Sequence, residues 1–294
     1  MLKKNGPLLL ASNHPNSFLD AIIFDILFEQ PIWSLARGDV FKNKLISRVL
    51  GSLKMFPVYR VSEGVENLNS NYETFKSCKA LFRKKGIVLI FSEGKCINEW
   101  HLRPLKKGTA RLAISSWEEN IPLEVLPVGI NYSSFRRFGK NVIINFGDTI
   151  TRKDISFTAS EGIRYQAFNN KLQQQLNSLV FEINKQDKEK KQALLEKKTS
   201  GLSKIVFAFP AFIGWLTHLP LYLPVQKITY KKTADNDHFD SIMAAVLLVT
   251  YPLYLLFISL LTFYLTTSTF SFLLLFFLPF TAWCYVQIKP QLDK

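Results

Sequence analysis

The chain has 294 residues, 48% of them hydrophobic and 14% aromatic, with 25 Phe and a formal net charge of +14. The apolar fraction is ordinary for a soluble protein, but its distribution is not: residues 241–288 contain no Asp, Glu, Lys or Arg, and almost all of the net positive charge falls in the first 204 residues. This pattern excludes a single soluble globule, a disordered chain, a collagen-like repeat and a disulfide scaffold.

In chain order, residues 8–12 read as a buried strand after the Gly6-Pro7 turn. The apolar run Leu8–Ala11 is too short for a secretory leader. A helix is predicted over 18–28, a strand over 32–36, a helix near 40–50 and a strand over 54–60. Residues 67–84 have Leu68, Tyr72, Phe75 and Leu81 at helical spacing. The unbroken Ile-Val-Leu-Ile-Phe of 87–91 reads as a strand covered on both faces. A helix over 108–119 and strands over 123–131 and 142–146 complete the alternation. The fold class expected is α/β, a mostly parallel central sheet flanked by helices, over residues 1–158.

Residues 159–204 read as a charged helical segment of one or two helices. The stretch 186–198 is almost wholly charged or amide. It fits a solvated face or linker, or a membrane-surface contact through its lysines. Residues 205–294 form the membrane region. The part from 205 to 225, interrupted by Pro210, Gly214, Pro220 and Pro224, reads as interfacial or re-entrant. Spans are predicted at about 241–262 and 270–288, a transmembrane helical hairpin with Trp283 and Tyr285 as interfacial anchors. Lys227, Lys231 and Lys232 flank one outer end of the hairpin and Lys289 and Lys294 the other. By the positive-inside rule that side, with the α/β domain, is cytoplasmic.

Three cysteines, Cys78, Cys96 and Cys284, lie far apart and in no C-x-x-C pattern. No zinc site or disulfide framework is expected, and a reducing compartment is. The basic charge calls for an anionic partner. No helix-turn-helix, RNP-like or zinc-finger signature is present, so membrane lipids are expected as partners and nucleic acid is not.

The chemistry-bearing residues cluster at predicted strand ends, where open α/β sheets place their sites. His14 follows the first strand, and Asp20 lies in the first turns of the next helix. A carboxylate folded back on this imidazole would fix its tautomer and make His14 a general base toward a hydroxyl. Glu93, Gly94 and Lys95 follow the fourth strand, and Arg60 follows the third. Arg103, Lys106 and Lys107 lead into Gly108 at a predicted helix start, a setting that suits a phosphate.

These segments, taken in order, resemble the motifs of the glycerolipid acyltransferases, which act on 1-acylglycerol 3-phosphate or glycerol 3-phosphate. Asn13-His14-Pro15-Asn16-Ser17-Phe18-Leu19-Asp20 is similar to the first motif. The segment from Gly51 through Phe56-Pro57-Val58-Tyr59-Arg60 is similar to the second, which ends in an Arg implicated in acceptor binding. Phe91-Ser92-Glu93-Gly94-Lys95-Cys96 resembles the third, and Leu126-Pro127-Val128-Gly129 the fourth, a Pro-containing strand beside the acyl channel. Pro104–Ala110 resembles the basic-Gly segment that follows the third motif.

The chain departs from the common pattern in three places. Five residues separate His14 from Asp20 where four are usual, a spacing similar to a branch nearer the glycerol-3-phosphate and dihydroxyacetone-phosphate acyltransferases. Ser92 replaces a usual Pro, and Cys96 stands where Ser or Arg is commoner. Family members usually have helices before the first strand. Here the strand begins close to Met1, so either the start is truncated or the C-terminal hairpin supplies the anchor.

The resemblance implies acyl transfer from acyl-CoA or acyl-carrier protein, with no other cofactor and no metal. It implies His14 and Asp20 as catalytic residues, and Asn16, Phe56, Arg60, Glu93, Gly94, Lys95, Arg103, Lys106, Lys107, Gly108 and Pro127 around the substrates. The acceptor expected is a lysophospholipid, 1-acyl-sn-glycerol 3-phosphate, with glycerol 3-phosphate or another lysolipid as alternatives. A non-catalytic module that binds lipid phosphates is the alternative from another class.

Overall fold

The apolar runs of the first half need cover on both faces, and a parallel sheet provides it. The computed structural model describes residues 2–4, 6–59 and 68–292. Among them a six-stranded sheet is built from β1 (Leu8–Ser12), β2 (Ile32–Arg37), β3 (Met55–Val58), β4 (Ile87–Phe91), β5 (Glu124–Tyr132) and β6 (Val142–Phe146), in the order β3-β2-β4-β1-β5-β6. β1 lies between β4 and β5 and pairs parallel with both, Ser12 standing opposite Phe91 on one side and Val128 on the other. All five residues of β1 are buried. β5 and β6 form an antiparallel hairpin, joined through Gly147 N–H to Pro127 O at 3.0 Å.

The helices follow the sequence reading closely: α1 (Phe18–Leu27), α2 (Lys44–Ser52, after a 3-10 turn at Gly38–Lys42), α3 (Leu68–Arg83), α4 (Lys107–Glu118), α5 (Glu161–Leu179) and α6 (Lys188–Leu195). α4 and α5 are packed together over the main core. α5 buries Phe168, Leu172 and Leu176 at four-residue spacing, the stripe an amphipathic helix turns to a core. The Trp117 indole of α4 is fully enclosed near Phe168 and donates to Leu123 O at 2.8 Å, satisfying its one polar atom.

The chain divides into two compact units. One comprises 1–131 and 143–186; the other comprises 132–142 and 187–294. The second holds α7 (Gly201–Lys232), α8 (Phe239–Thr266) and α9 (Leu274–Ile288, after a turn at Thr269–Leu273). All three are long and apolar enough to cross a membrane, counting the turn with α9, and only 11% of the apolar window of α7 and of α8, and 22% of that of α9, is buried. Faces so apolar and so little covered suit hydrocarbon rather than water.

The interruption expected over 205–225 is absent: α7 runs as one helix through Pro210, Pro220 and Pro224. A proline frees a carbonyl one turn back and needs a neighbour to supply the missing bond. Tyr254 of α8 donates its hydroxyl to Thr217 O, next to the Leu216 carbonyl that Pro220 leaves without its helical donor. The prolines also fall where α7 changes partner. Before them Phe207 meets Trp283 of α9 at 5.2 Å between rings, and after them Tyr230 meets Phe239 of α8 at 4.5 Å. At Gly214 an added Cβ would stand 2.2 Å from Thr281 O, so glycine allows this crossing of α7 and α9. In the same unit Lys140 and Asp240 form a nearly buried ion pair, each side chain 7% exposed.

Candidate active site

Because Ser12 and Phe91 are in register at the ends of adjacent parallel strands, the residues that follow them emerge side by side. Ser92 N–H donates to Ser12 O at 2.8 Å, which carries the pairing one step into the loops. The buried Asn13 amide then locks the loop to β5. Its Oδ1 accepts from Ile130 N–H at 2.8 Å and its Nδ2 donates to Ile130 O at 3.0 Å.

His14 comes next. Its Nδ1 lies 2.8 Å from Asp20 Oδ2, and its ring stacks nearly flat on Phe91, centroids 3.9 Å apart and planes 9° apart. Asp20 is fully buried, while the imidazole is 17% exposed. The same Asp20 oxygen accepts from Asn16 N–H at 2.8 Å. A buried carboxylate with these two partners, in the first turn of α1 where the helix dipole favours negative charge, holds Nδ1 as the proton-bearing nitrogen. Nε2 makes no hydrogen bond among the described residues and presents its lone pair outward.

The five-residue loop closes this pair through Ser17, whose φ of 54° is positive. That backbone is uncommon for a residue with a Cβ and stores strain beside the imidazole. Ser17 N–H is met by Cys96 Sγ at 2.9 Å, and Asn98 Nδ2 donates to Pro15 O at 2.7 Å.

Glu93 joins two segments. One carboxylate oxygen accepts from His14 N–H at 2.8 Å and the other from Arg103 N–H at 2.9 Å. Burial pushes its carboxyl above the ordinary glutamate value, opposed by these two bonds and by the charges of His14 and Arg103. With the folded value raised, the folded state holds the proton more tightly than the unfolded chain. The group's contribution to stability therefore rises as pH falls through that window and is lost above it. Glu93→Gln leaves one of two buried N–H groups without its acceptor, so it is expected to cost roughly 1–3 kcal/mol. Thermal unfolding of the detergent-solubilised chain should show that deficit growing as pH falls through the same window.

The basic group is arranged around Glu93. The Arg103 guanidinium lies 3.6 Å from Glu99, with Nη1 buried and unbonded among the described residues. Lys106 N–H donates to Ser92 O at 2.8 Å. Gly94 has φ +68°, and an added Cβ would press on Lys106 Cγ at 3.1 Å, so glycine serves both backbone shape and close approach here. Thr109 Oγ1 donates to Ser92 Oγ at 3.0 Å, where the hydroxyl replacing the common Pro is used. Lys95, Lys106 and Lys107 are exposed. Gly108, in the first turn of α4, has room for a side chain: the nearest atom to an added Cβ would be 3.9 Å away.

Phe56 and Pro127 are not in this hydrogen-bonded cluster. Phe56 stacks on Trp33 at 4.4 Å, on the edge strand β3. Pro127 is buried within β5 opposite Ala11. Arg60 lies outside the described residues. Conversely, Phe91, Cys96 and Asn98 support the His14 loop, a role that residue type alone does not assign them. Phe91 is legible as a strand-terminal aromatic, but its place under the imidazole follows from strand register.

A mostly parallel sheet carries a buried carboxylate–imidazole pair past its central strand, an arrangement that suits acid–base chemistry. Residues 1–131 match the family model described as Acyltransferase. The matched stretch contains all of the ordered motifs described above, from Asn13 to Gly129. No curated protein matches the sequence. A solved structure similar to this chain is the 1-acyl-sn-glycerophosphate (LPA) acyltransferase PlsC from Thermotoga maritima, at 15% identity and a TM-score of 0.40, covering 60% of this chain and 68% of that one.

Proposed function

We propose that the chain transfers a fatty acyl group from acyl-CoA or acyl-carrier protein to the free hydroxyl of 1-acyl-sn-glycerol 3-phosphate, with His14 as general base. The observation that carries this reading is the 2.8 Å His14 Nδ1–Asp20 contact, with Nε2 unbonded among the described residues. Nε2 takes the hydroxyl proton as the oxygen attacks the thioester carbonyl. The C–S bond breaks as the tetrahedral intermediate collapses, and the imidazolium returns its proton to the leaving thiolate. Asp20 stabilises the imidazolium throughout. Arg103, Lys106, Lys107 and Lys95 supply positive charge for the acceptor phosphate, with Arg60 as a further candidate from the second motif. Glu93 acts on the backbone of His14 and Arg103, a positioning role that needs no contact with the anionic substrate. No metal and no covalent acyl-enzyme enter this scheme. The domain is read as cytoplasmic from the lysines around the start of α7, Lys197, Lys198 and Lys204 among them; with α7 crossing as one helix, Lys227, Lys231 and Lys232 lie at its opposite end and do not mark the domain's side.

Glycerol 3-phosphate is the second reading, favoured by the five-residue spacing from His14 to Asp20. The test is acyl transfer by the full chain from acyl-CoA and from acyl-carrier protein to radiolabelled acceptors. Diacylated phosphate product from 1-acylglycerol 3-phosphate is expected. Preference for glycerol 3-phosphate would move the assignment to the second reading. Transfer to none of the acceptors would overturn the enzyme reading in favour of a lipid-binding module.

A further inference from the structure

α2 is an amphipathic helix of nine residues in which none is buried. Leu45, Val49 and Leu53 follow at four-residue spacing, with Ile46 beside them, and their exposures are 72%, 50%, 51% and 47%. Val40, just upstream, is 42% exposed. Scattered exposed leucines need no explanation, but a contiguous stripe along one helix does. Ser47 and Leu50 make up the half-covered side, so the helix turns its more apolar face away from the domain. The helix is nonetheless built with care. Asn43 caps it, its Oδ1 accepting from Leu45 N–H at 2.9 Å and Ile46 N–H at 3.3 Å. Isolated helices of this length are marginal in water.

The charge around the stripe is of one sign. Residues 40–62 contain Lys42, Lys44, Arg48, Lys54 and Arg60 and no Asp or Glu, and Lys42, Lys44 and Arg48 are exposed. An apolar face framed by basic side chains matches a surface that is apolar in depth and anionic on top. A bilayer with anionic headgroups has that make-up. The same chain has three helices long and apolar enough to cross a membrane, so a bilayer is a surface this chain is suited to meet. We propose that α2 is a membrane-docking helix. Leu45, Ile46, Val49 and Leu53 enter the boundary between headgroups and acyl chains, while Lys42, Lys44 and Arg48 contact anionic headgroups. The proposal depends on neither the acceptor nor the general base named above.

The test uses the full chain, reconstituted into vesicles of phosphatidylcholine with or without phosphatidylglycerol, carrying a nitroxide on Val49→Cys. Ile163→Cys on α5, at an apolar position 59% exposed without this basic frame, is the reference. Expected at position 49 is a lipid-buried spectral component, more accessible to oxygen than to a water-soluble nickel complex and larger in the anionic vesicles; position 163 should show none. K44Q and R48Q are each expected to reduce the anionic preference by roughly fivefold. Aqueous accessibility at position 49 in both vesicle types would overturn the proposal. So would dipolar broadening between labels, which would assign the face to a second copy of the chain. Leu45→Cys provides a second reporter should Val49→Cys fail to fold, and is subject to the same outcomes.

Discussion

Replacing His14 by Ala is expected to lower acyl transfer by about 10²–10⁴-fold, the range a positioned general base contributes, while the chain still inserts into membranes. The ring lies over Phe91 and bonds through Nδ1 to Asp20, whereas the bonds that shape the loop run through the backbone of residues 14, 16 and 17. Truncation at Cβ therefore removes the base and leaves the loop anchored. Asp20→Asn is the companion variant. An amide nitrogen facing Nδ1 favours the tautomer with the proton on Nε2, the nitrogen needed as acceptor, and a loss of about 10⁴-fold is expected from that reversal. Both are read as turnover with saturating thioester donor, with membrane insertion checked by carbonate extraction. An H14A chain retaining wild-type turnover would remove His14 from the mechanism.

A large stability effect from a single methyl group is expected at Gly129, within the fourth motif. A Cβ there would stand 2.4 Å from Leu179 O and 2.5 Å from Leu179 C, backbone atoms at the end of α5. That carbonyl is itself held in place, accepting from Asn131 Nδ2 at 3.0 Å and Asn145 Nδ2 at 2.8 Å. With no flexible side chain to give way, Gly129→Ala must displace a strand or a helix terminus, at a cost of about 1–3 kcal/mol. Gly162→Ala is the contrast. It lies in α5 with nothing within 4 Å of the added carbon, and a gain of about 0.4–1 kcal/mol is expected. Thermal unfolding of the two variants in detergent should move in opposite directions from wild type. Equal stability of G129A and wild type would mean that β5 and α5 are less closely apposed than these distances require.

Chain order and residue type are enough to read much of the first unit. Strands covered on both faces are nearly unbroken apolar runs, as at Leu8–Ser12 and Ile87–Phe91, and the period changes to helical between them. The paired motifs are legible for a related reason: a site at strand ends must follow apolar runs directly, so chain order alone places His14 and Glu93 near one crevice. For Glu93, residue type suggests a side chain that orients a basic partner or the acceptor hydroxyl. Its oxygens instead bind the N–H groups of His14 and Arg103, which residue type cannot reveal because any exposed or buried donor satisfies a carboxylate equally well.

The sequence by itself determined an α/β domain and a helical tail with an uncharged run over 241–288, because burial on two faces and a long run without charge each leave a one-dimensional signature. It also determined that a His and an Asp stand close enough in the chain to meet. Tertiary structure alone decided that Phe91 lies under the imidazole, since strand register brings together residues far apart in the chain. It also decided that Gly129 faces a carbonyl, and that α7 runs as one helix through three prolines with a close approach to α9 at Gly214. Contacts of this kind depend on where distant segments come to rest. The local pattern can specify which residue types such places tolerate, but not which partners meet there.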